Sequence, residues 1–456
     1  MELKKYKLGD CLTMIENGAV IKQKKNAGGI PITRIETLSN DRFNRDRLGY
    51  ADIFDESSYS HFILDDMDLI MSHINSRTFL GRTVIYRKHG DEKIIHGMNV
   101  LRLKTDIKVL NPLYAYYYFK TNGFRTAIDH IRKDAINQSS LATSDIKNLE
   151  ILIPSIEEQS VIVSILDNLD RKIALNCAIN QNLEALAKQL YDYWFVQFDF
   201  PDEQGKPYKS SGGKMVWNEK LKREIPVKWE VKSLSSVAIV NQKSLSKEDI
   251  LTEIEYLDTS SLTENNITET QQIFKEEAPS RAQRKVKQRT ILYSTVRPRL
   301  KHYGILCNPA SNLIVSTGFA TIDALDIRLA YYIYYVLTQK SITEYLGSIA
   351  DTAVSSYPSI NPTDLESINV VIPDERLIKA FDETISPLYE LKEDSAKTIQ
   401  TLIKQRDELL PLLMNGQVSL NSDLYDSMYI IIYDMDLYFG IYEGKHHYGG
   451  RYGNAA

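Results

Sequence analysis

Two stretches of the chain repeat apolar residues at alternating steps of four and three, the pattern of a helix that packs along one side. In the first stretch the repeated positions are Ile162, Leu166, Leu169, Ile173, Asn176, Asn180, Leu183, Ala187, Leu190 and Trp194. In the second they lie 219 residues later, at Phe381, Ile385, Leu388, Lys392, Ser395, Ile399, Leu402, Arg406, Leu409 and Leu413. The shared offset predicts two long helices of common origin, over residues 155–197 and 374–415.

The two predicted helices are expected to pair with each other. A helix of about 40 residues extends about 60 Å, and its apolar stripe would lie in water without a partner. An antiparallel pair buries both stripes, and the polar positions around Asn176 and Lys392 would fix the register. Two independent core helices in separate domains are the alternative. Pro387 and Pro411 are expected to kink or end the second helix, because proline lacks an amide hydrogen.

Each predicted helix follows a segment of the same layout. DAINQSSLATSDIKNLEILIP precedes the first helix and TAVSSYPSINPTDLESINVVIP precedes the second, so that Leu141 matches Ile360 and Pro154 matches Pro373. Farther upstream, MDLIMSHINSRTFLGRTVIY resembles RTILYSTVRPRLKHYGIL, with a polar basic loop between two β-rich runs in each. The repeat predicts one α/β (α+β) module in tandem duplication, at residues 1–154 and 225–373, with an approximate twofold relation between the copies.

The remaining segments lie outside this repeat. Residues 198–224 are rich in Gly, Pro, Lys and Ser, which predicts an ordered crossover with turns. Residues 416–456 form a tyrosine-rich tail. Its alternating apolar run predicts a strand or hairpin, and the sequence assigns no role to it. The tyrosine groups at 114–118 and 331–335 cover all sides of a helix, so we expect them to pack inside the modules instead of stacking on bases.

Composition indicates an ordinary globular protein, with 43% hydrophobic and 25% charged residues. The first ten residues lack the apolar core of a signal peptide, and Asp434 and Asp436 interrupt the longest apolar stretch. Cys11, Cys177 and Cys307 are far apart and show no metal-ligand spacing. We therefore expect a cytoplasmic protein without a membrane span, a disulfide or a bound metal.

Local charge departs from the net charge of −5. Residues 281–302 contain eight basic residues and no acidic one, and DNA binding needs only one positive face. Arginines on a loop after a strand are able to reach phosphates or the guanine edge. The alternative is a solvated charged face. The predicted DNA-binding residues are Asn75, Arg77, Thr78 and Arg82 in the first module and Arg281, Arg284, Lys285, Lys287, Arg297, Arg299 and Lys301 in the second.

No motif of catalysis is complete. The tetrapeptide that begins at Asn111, Asn-Pro-Leu-Tyr, comes within one residue of the motif that holds the target amino group in adenine methyltransferases, but a helix start with proline near its first position explains it. No strand followed by a glycine-rich turn offers a nucleotide site, and no phosphate-binding loop with Gly-Lys-Ser/Thr occurs. The sequence therefore predicts no catalytic residue and no cofactor of its own.

These features together resemble the specificity (S) subunit of Type I restriction-modification systems. The resemblance extends to about Leu420 and rests on four segments. They are IPSIEEQ at 153–159, YWFVQFDFP at 193–201, GKPYKSSGGKMVWNEKLKREIPVKWEVKSL at 205–234 and the closing RDELLPLLMNGQVSL.

The resemblance implies two target recognition domains that each recognise one half of a bipartite, asymmetric DNA site. It also implies that the long helices set the distance between the halves and dock two modification (M) subunits, which use S-adenosylmethionine to methylate adenine. Restriction (R) subunits, which need ATP and Mg²⁺, would join through the M subunits. A stand-alone adenine methyltransferase and a coiled-coil scaffold without a DNA role are the alternatives. The target bases and the spacer length do not follow from the sequence.

Overall fold

The computed structural model describes residues 1–24, 28–134, 138–246, 248–352 and 357–417. Residues 418–456, which hold nearly all of the tyrosine-rich tail, lie outside the described residues. The described residues form two compact units, the first within 1–173 and 401–417, the second within 174–400. None of the described helices combines the length and apolarity needed to cross a membrane.

The first unit opens with a module of short strands and three short helices. Its strands are β1 Lys4–Lys7, β2 Leu12–Asn17, β3 Gln23–Lys24, β4 Pro31–Ile32, β5 Gly49–Ala51, β6 Leu69–Met71, β7 Ile74–Asn75, β8 Thr83–Ile85, β9 Leu101–Thr105, β10 Lys133–Asp134, β11 Ser139–Ser140 and β12 Glu150–Ile153. Its helices are α1 Pro112–Tyr118, α2 Asn122–Ile131 and α3 Thr143–Lys147, and the long helix α4 Ile156–Tyr191 follows.

An antiparallel sheet with the strand order β2-β9-β6-β8 forms the centre of this module. Leu69 and Leu101 from the sheet share a core with Tyr114 of α1, Phe124 of α2 and Leu166 of α4. The first strand, β1, pairs with the last strand, β12, just before α4 begins. The module therefore closes on itself at the point where the chain enters the long helix.

The second unit contains the connector hairpin, the second module and most of the second long helix. Its strands are β13 Met215–Asn218, β14 Arg223–Pro226, β15 Glu230–Ser233, β16 Ala238–Val240, β17 Glu253–Leu257, β18 Leu262–Thr263, β19 Asn266–Ile267, β20 Gln271–Phe274, β21 Ala282–Lys285, β22 Ile291–Ser294, β23 Tyr303–Ile305, β24 Leu313–Ser316, β25 Phe319–Ala324 and β26 Asn369–Ile372. Its helices are α5 Ala330–Leu337, α6 Lys340–Thr352, α7 Pro362–Glu366 and α8 Glu375–Met414.

The second module repeats the topology of the first. Its central sheet has the order β16-β25-β22-β23, which matches β2-β9-β6-β8 strand for strand. The first strand β15 again pairs with the last strand β26. A further sheet of order β20-β17-β24-β21 contains a parallel pair, β17 with β24. The predicted tandem duplication is confirmed.

The long helices α4 and α8 run antiparallel to each other in each unit. In the first unit an Arg406 nitrogen donates to Asp170 at 2.9 Å. In the second unit Ser395 Oγ donates to Asn176 Oδ1 at 3.1 Å, and Lys392 Nζ lies 2.5 Å from Glu184. The predicted pairing is confirmed, and polar groups in its middle bond across the seam as expected of residues that fix register.

Of the kink or end expected at Pro387 and Pro411, the end is wrong, because α8 continues without a break from Glu375 to Met414, and the kink stays a prediction. Pro387 and Pro411 both lie on the exposed side of the helix, whereas Ile385 and Tyr389 on the other side are buried. A proline within a helix loses one hydrogen bond. Burial of the opposite side of the helix offsets that loss.

The tyrosine groups pack inside the modules, as predicted. All eight residues of α5 are buried, and three of the tyrosines on α1 are buried as well. Tyr117 donates its hydroxyl to Asp170 of α4 at 2.8 Å, and the hydroxyls of Tyr335 and Tyr389 lie 3.0 Å apart. These hydrogen bonds join the core of each module to a long helix.

Candidate nucleic-acid interface

A loop of residues 72–82 leaves the central sheet of the first module between β6 and β8. Its ends meet where the Ser72 amide donates to the Arg82 carbonyl at 2.8 Å. The Leu141 amide donates to the carbonyl of His73 at 2.9 Å, and β7 within the loop pairs with β11. The loop is therefore tied to the segment just before α3.

The second module holds the equivalent loop, residues 294–302, in the same frame. The Ser294 amide donates to the His302 carbonyl at 2.8 Å, and the Ile360 amide donates to the Thr295 carbonyl at 2.8 Å. Met71 faces Thr83 in the first sheet and Tyr293 faces Tyr303 in the second. The second loop is therefore two residues shorter than the first, on an otherwise common framework.

The four predicted residues of the first loop differ in their surroundings. Asn75 is half-buried and donates to Ser72 Oγ at 3.1 Å. Arg77 is exposed and lies 3.7 Å from Asp129 of α2, and Thr78 is exposed. The Arg82 guanidinium lies 4.5 Å from the Phe79 ring centroid, so it is engaged within its own module.

Arg297 is the exposed side chain at the turn of the second loop. Its backbone is left-handed, with φ +49°, a conformation that a residue with a Cβ atom seldom adopts. Its amide donates to the Pro358 carbonyl at 2.9 Å, and its guanidinium lies 5.5 Å from the ring centroid of exposed Tyr357. The structure thus holds the backbone and leaves the guanidinium at the surface.

Most other basic residues of the segment 281–302 have carboxylate partners from distant parts of the chain. The Lys285 ammonium lies 2.5 Å from Asp249, and the hydrogen bond lowers the pKa of Asp249 to about 2. Further pairs join Lys301 to Glu264, Arg289 to Asp382, Arg299 to Glu344 and Asp351, and Lys287 to Asp323 at the longer distance of 3.9 Å. The basic segment is therefore much less positive in the fold than in the sequence.

Three predicted arginines keep their charge unmatched by an ion pair. Among the described residues, no carboxylate forms a salt bridge with Arg281, Arg284 or Arg297. Arg284 lies on β21, at the edge of its sheet, and donates to Ser244 Oγ at 3.2 Å. Arg281 is exposed just before that strand. Arg297 lies in a separate place, on the loop that leaves the central sheet.

The predicted seam residues occupy the inner sides of the helices. Ile162 and Ile173 are buried in the first unit and Phe381 in the second. The half-buried positions are Leu169, Leu183, Leu190, Leu388, Ile399, Leu402 and Leu409.

The Asn-Pro-Leu-Tyr tetrapeptide, which nearly matches a methyltransferase motif, is the start of helix α1, as predicted. Asn111 caps α1, since its Oδ1 accepts the amide hydrogens of Leu113 and Tyr114 at 2.9 and 3.3 Å. Tyr114 is fully buried. The Tyr114 ring is therefore closed to a target base, and Asn111 Oδ1 is engaged by the helix. Within the described ranges, no group of three or more His, Cys, Asp or Glu residues is placed to hold a metal ion.

One charged pair escaped the sequence analysis. Arg102 on β9 is 1% exposed and donates from Nε to Asp68 Oδ2 at 2.6 Å. Burial raises the pKa of Asp68 to about 6. The equivalent positions of the second module hold Thr290 and Thr321. The only signal in the sequence was an Asp and an Arg inside two β-rich runs, where charge is rare without a partner.

The first module and most of α4 match a known protein family. A family model described as the type I restriction modification DNA specificity domain matches residues 1–185. The chain is 28% identical over 423 residues to the type I restriction enzyme MjaX specificity subunit of Methanocaldococcus jannaschii, covering 90% of this chain and 92% of that protein. The MjaIX specificity subunit of the same organism is 28% identical over 313 residues, or 67% of this chain and 68% of the relative.

The fold is similar to that of a solved structure. The crystal structure of a Type-I restriction-modification system S subunit from M. genitalium matches with a TM-score of 0.55 and 17% sequence identity. The match covers 91% of this chain and 96% of that one. The likeness extends over both modules and both long helices.

Proposed function

We propose that the chain is a type I restriction-modification specificity subunit, as its similarity to such subunits indicates, and that its two modules each recognise one half of a bipartite, asymmetric site in double-stranded DNA. Specificity subunits are the non-catalytic members of these systems. The proposal assigns to this chain the choice of the DNA sequence and leaves the chemistry to its partners.

The repeated loop is the observation that carries the assignment of DNA recognition to particular residues. The same framework presents residues 72–82 in one module and 294–302 in the other. The side chains at equivalent places differ, since Asn75 corresponds to Arg297. Asparagine pairs well with adenine and arginine with guanine in the major groove. Two loops of the same frame with different tips would give an asymmetric site.

Arg281 and Arg284 are proposed to bind phosphates of the DNA. They lie at the edge of the sheet β20-β17-β24-β21 without a carboxylate partner among the described residues. Phosphate contacts position a protein on the duplex and carry no sequence information of their own. Their loss should therefore weaken the binding of all sequences to the same extent.

The partners follow from the family as part of the same proposal. We propose that α4 and α8 dock two M subunits and set the distance between the recognised halves, and that R subunits join through the M subunits. S-adenosylmethionine, ATP and Mg²⁺ would then be bound by the partners. Double-stranded DNA is the one ligand proposed for this chain.

Substitution of the loop tips tests the proposed recognition. We expect Arg297→Ala to relax base preference in one half-site and Asn75→Ala in the other, each by about 1–3 kcal/mol of discrimination. The measurement is a map of methylated adenines in DNA exposed to the chain assembled with M subunits. Each variant serves as the control for the other. Unchanged preference in both variants would favour a scaffold without a DNA role.

Deletion of one heptad from each long helix tests the proposed spacing. Seven residues span about 10 Å of helix, which corresponds to about 3 base pairs of duplex. We expect the paired deletion to shorten the spacer of the recognised site and to leave both half-sites unchanged. Deletion from α8 alone is the control, because it breaks the register of Ser395 with Asn176. A spacer of unchanged length would contradict the proposal.

The stand-alone methyltransferase has a separate test. The full chain without partners is expected to transfer no methyl group from S-adenosylmethionine to DNA, measured as incorporation of labelled methyl. Turnover by the chain alone would overturn the proposed division of labour.

A further inference from the structure

Arg299 lies two residues after Arg297 on the second loop, but its side chain contacts the helix α6. One terminal nitrogen, Nη1, lies 2.5 Å from Asp351 Oδ2 and 3.3 Å from the carbonyl oxygen of Gly347. Nε lies 3.3 Å from Glu344 Oε2. The guanidinium thus bonds to three groups spread over two turns of one helix.

Gly347 provides the space for this arrangement. A Cβ atom built at Gly347 would lie 2.8 Å from both Cζ and Nε of Arg299, which is closer than carbon and nitrogen atoms approach without a bond. Glycine within a helix is unfavourable by about 1 kcal/mol relative to alanine. The helix therefore carries a residue that weakens it at the place where Arg299 lies across it. We name Glu344, Gly347 and Asp351 the α6 seat.

The loop needs such an attachment because its backbone is strained. Arg297 and Lys301, on either side of the turn Pro298–Leu300, are both left-handed, with φ +49° and +59°. A left-handed residue with a Cβ atom costs about 1–2 kcal/mol and persists only when the surroundings hold it. Arg299 lies between the two strained residues, so the α6 seat holds the turn from its middle.

The first module also places an arginine of the loop against an acidic residue of the helix that follows. Arg77 occupies the position of Arg299, 222 residues earlier, and Asp129 lies on α2. Arg77 faces Asp129 across 3.7 Å. The pairing recurs although the neighbouring loop residues, Asn75 and Arg297, differ. An arginine that holds the framework would recur in this way, whereas an arginine that selects a base would vary with the target.

We infer that Arg299 is a positioning residue that fixes the second loop on the α6 seat and leaves Arg297 as the base-recognising arginine of that loop. The inference rests on the proposed function of this loop in DNA recognition. It differs from the expectation drawn from the sequence, which assigned DNA contacts to both arginines alike. It also predicts that Arg299 influences base preference without touching DNA.

Gly347→Ala is the decisive variant, because it displaces Arg299 from its seat without removing a charge or altering the loop. The contacting atoms belong mainly to the far part of a flexible side chain, and alanine favours the helix, so this variant is expected to fold. Ser348→Ala on the exposed side of α6 is the matched control for the helix. Lys340→Ala is the matched control for loss of one surface cation, compared with Arg299→Ala.

Two measurements on each variant separate the outcomes. Hydrogen exchange of the loop amides 295–301 in the full chain reports how firmly the turn is held. Selection from duplex DNA of random sequence by the full chain assembled with M subunits reports base preference. We expect Gly347→Ala and Arg299→Ala to speed loop exchange about tenfold and to relax preference in one half-site. Arg297→Ala is expected to relax the same preference at unchanged exchange.

The opposite result would identify Arg299 as a DNA contact. In that case Arg299→Ala weakens the binding of all duplexes equally, and Gly347→Ala leaves both loop exchange and base preference as in the native chain. That outcome overturns the inference while the proposed function stands. Failure of Arg297→Ala to change preference would instead reject the loop as a recognition element, and the role of Arg299 with it.

Discussion

Arg102→Thr is expected to lower the free energy of unfolding of the first unit by about 3–5 kcal/mol at pH 7.5. Arg102 donates to Asp68 at 2.6 Å, to Asp65 at 3.0 Å and to the carbonyl of His61 at 3.0 Å. Its removal leaves the Asp68 carboxylate in the core with one remaining donor, the amide of Asp65. An uncompensated charge in a buried site is among the largest effects of a single substitution.

The loss of stability caused by Arg102→Thr should depend on pH. Burial raises the pKa of Asp68 to about 6 from 3.8. A carboxyl whose folded-state pKa is raised contributes stability that is fully present below the unfolded pKa and is lost as the pH rises through the folded one. Without the positive charge of Arg102 the pKa rises further. The deficit of Arg102→Thr is therefore expected to shrink between pH 7.5 and pH 5.5, as Asp68 takes up a proton.

The second module supplies the control for this variant. Thr290 and Thr321 occupy the positions of Asp68 and Arg102, so the double substitution Asp68→Thr with Arg102→Thr places in the first module the residue types that the second module holds there. The double variant leaves no unpaired carboxylate at position 68, so it is expected to lose less stability than Arg102→Thr. Hydrogen exchange of the β9 amides measures the first unit directly. A double variant as unstable as Arg102→Thr would show that the unpaired charge of Asp68 is not the cause of the loss.

The long helices and the duplication followed from the sequence because both depend on local order. Helical periodicity places Ile162 and Ile173 on one side of α4 whatever the rest of the chain does. The offset of 219 then assigns the same role to Phe381. The order of the strands could not be derived from local patterns. The repeat nevertheless predicted that the two modules share one topology.

The charge of the candidate site could not be derived from local sequence. Lys285 pairs with Asp249, and Arg289 pairs with Asp382, across 36 and 93 residues. These partners meet only because strands and helices bring distant segments together. A count of charges over residues 281–302 therefore overstates the positive field, and the arginines left without a carboxylate emerge only from the fold.

The expectation that a proline ends the second helix was wrong for a related reason. The expectation for Pro387 rested on one lost hydrogen bond, which is a local quantity. The surrounding turns bury Ile385 and Tyr389 against the second module, and this burial is worth more than the lost bond. Tertiary packing at these turns thus outweighs the low helix propensity of proline.

Ile162 and Phe381 occupy the same position of the repeat, one in each half of the chain. Their substitution therefore tests whether each half has its own hydrophobic core. Both are 0% exposed. Ile162 belongs to the core that α4 shares with the first module. Phe381 contacts Trp194 and Phe195, with ring centroids 5.9 and 4.8 Å apart. Each side chain therefore fills the junction between a long helix and its own module.

Phe381→Ala is expected to lower the free energy of unfolding of the second unit by about 3–5 kcal/mol, and Ile162→Ala that of the first by about 2–5 kcal/mol, because each leaves a cavity in a packed core. The three tryptophans lie between 194 and 229, so their fluorescence reports the second unit, and hydrogen exchange of β9 reports the first. Thr384→Ala and Ser160→Ala, on exposed sides of the same helices, are the matched controls. Each core variant should weaken its own unit alone; equal loss of protection in both units from either variant would show that the core is not divided in this way.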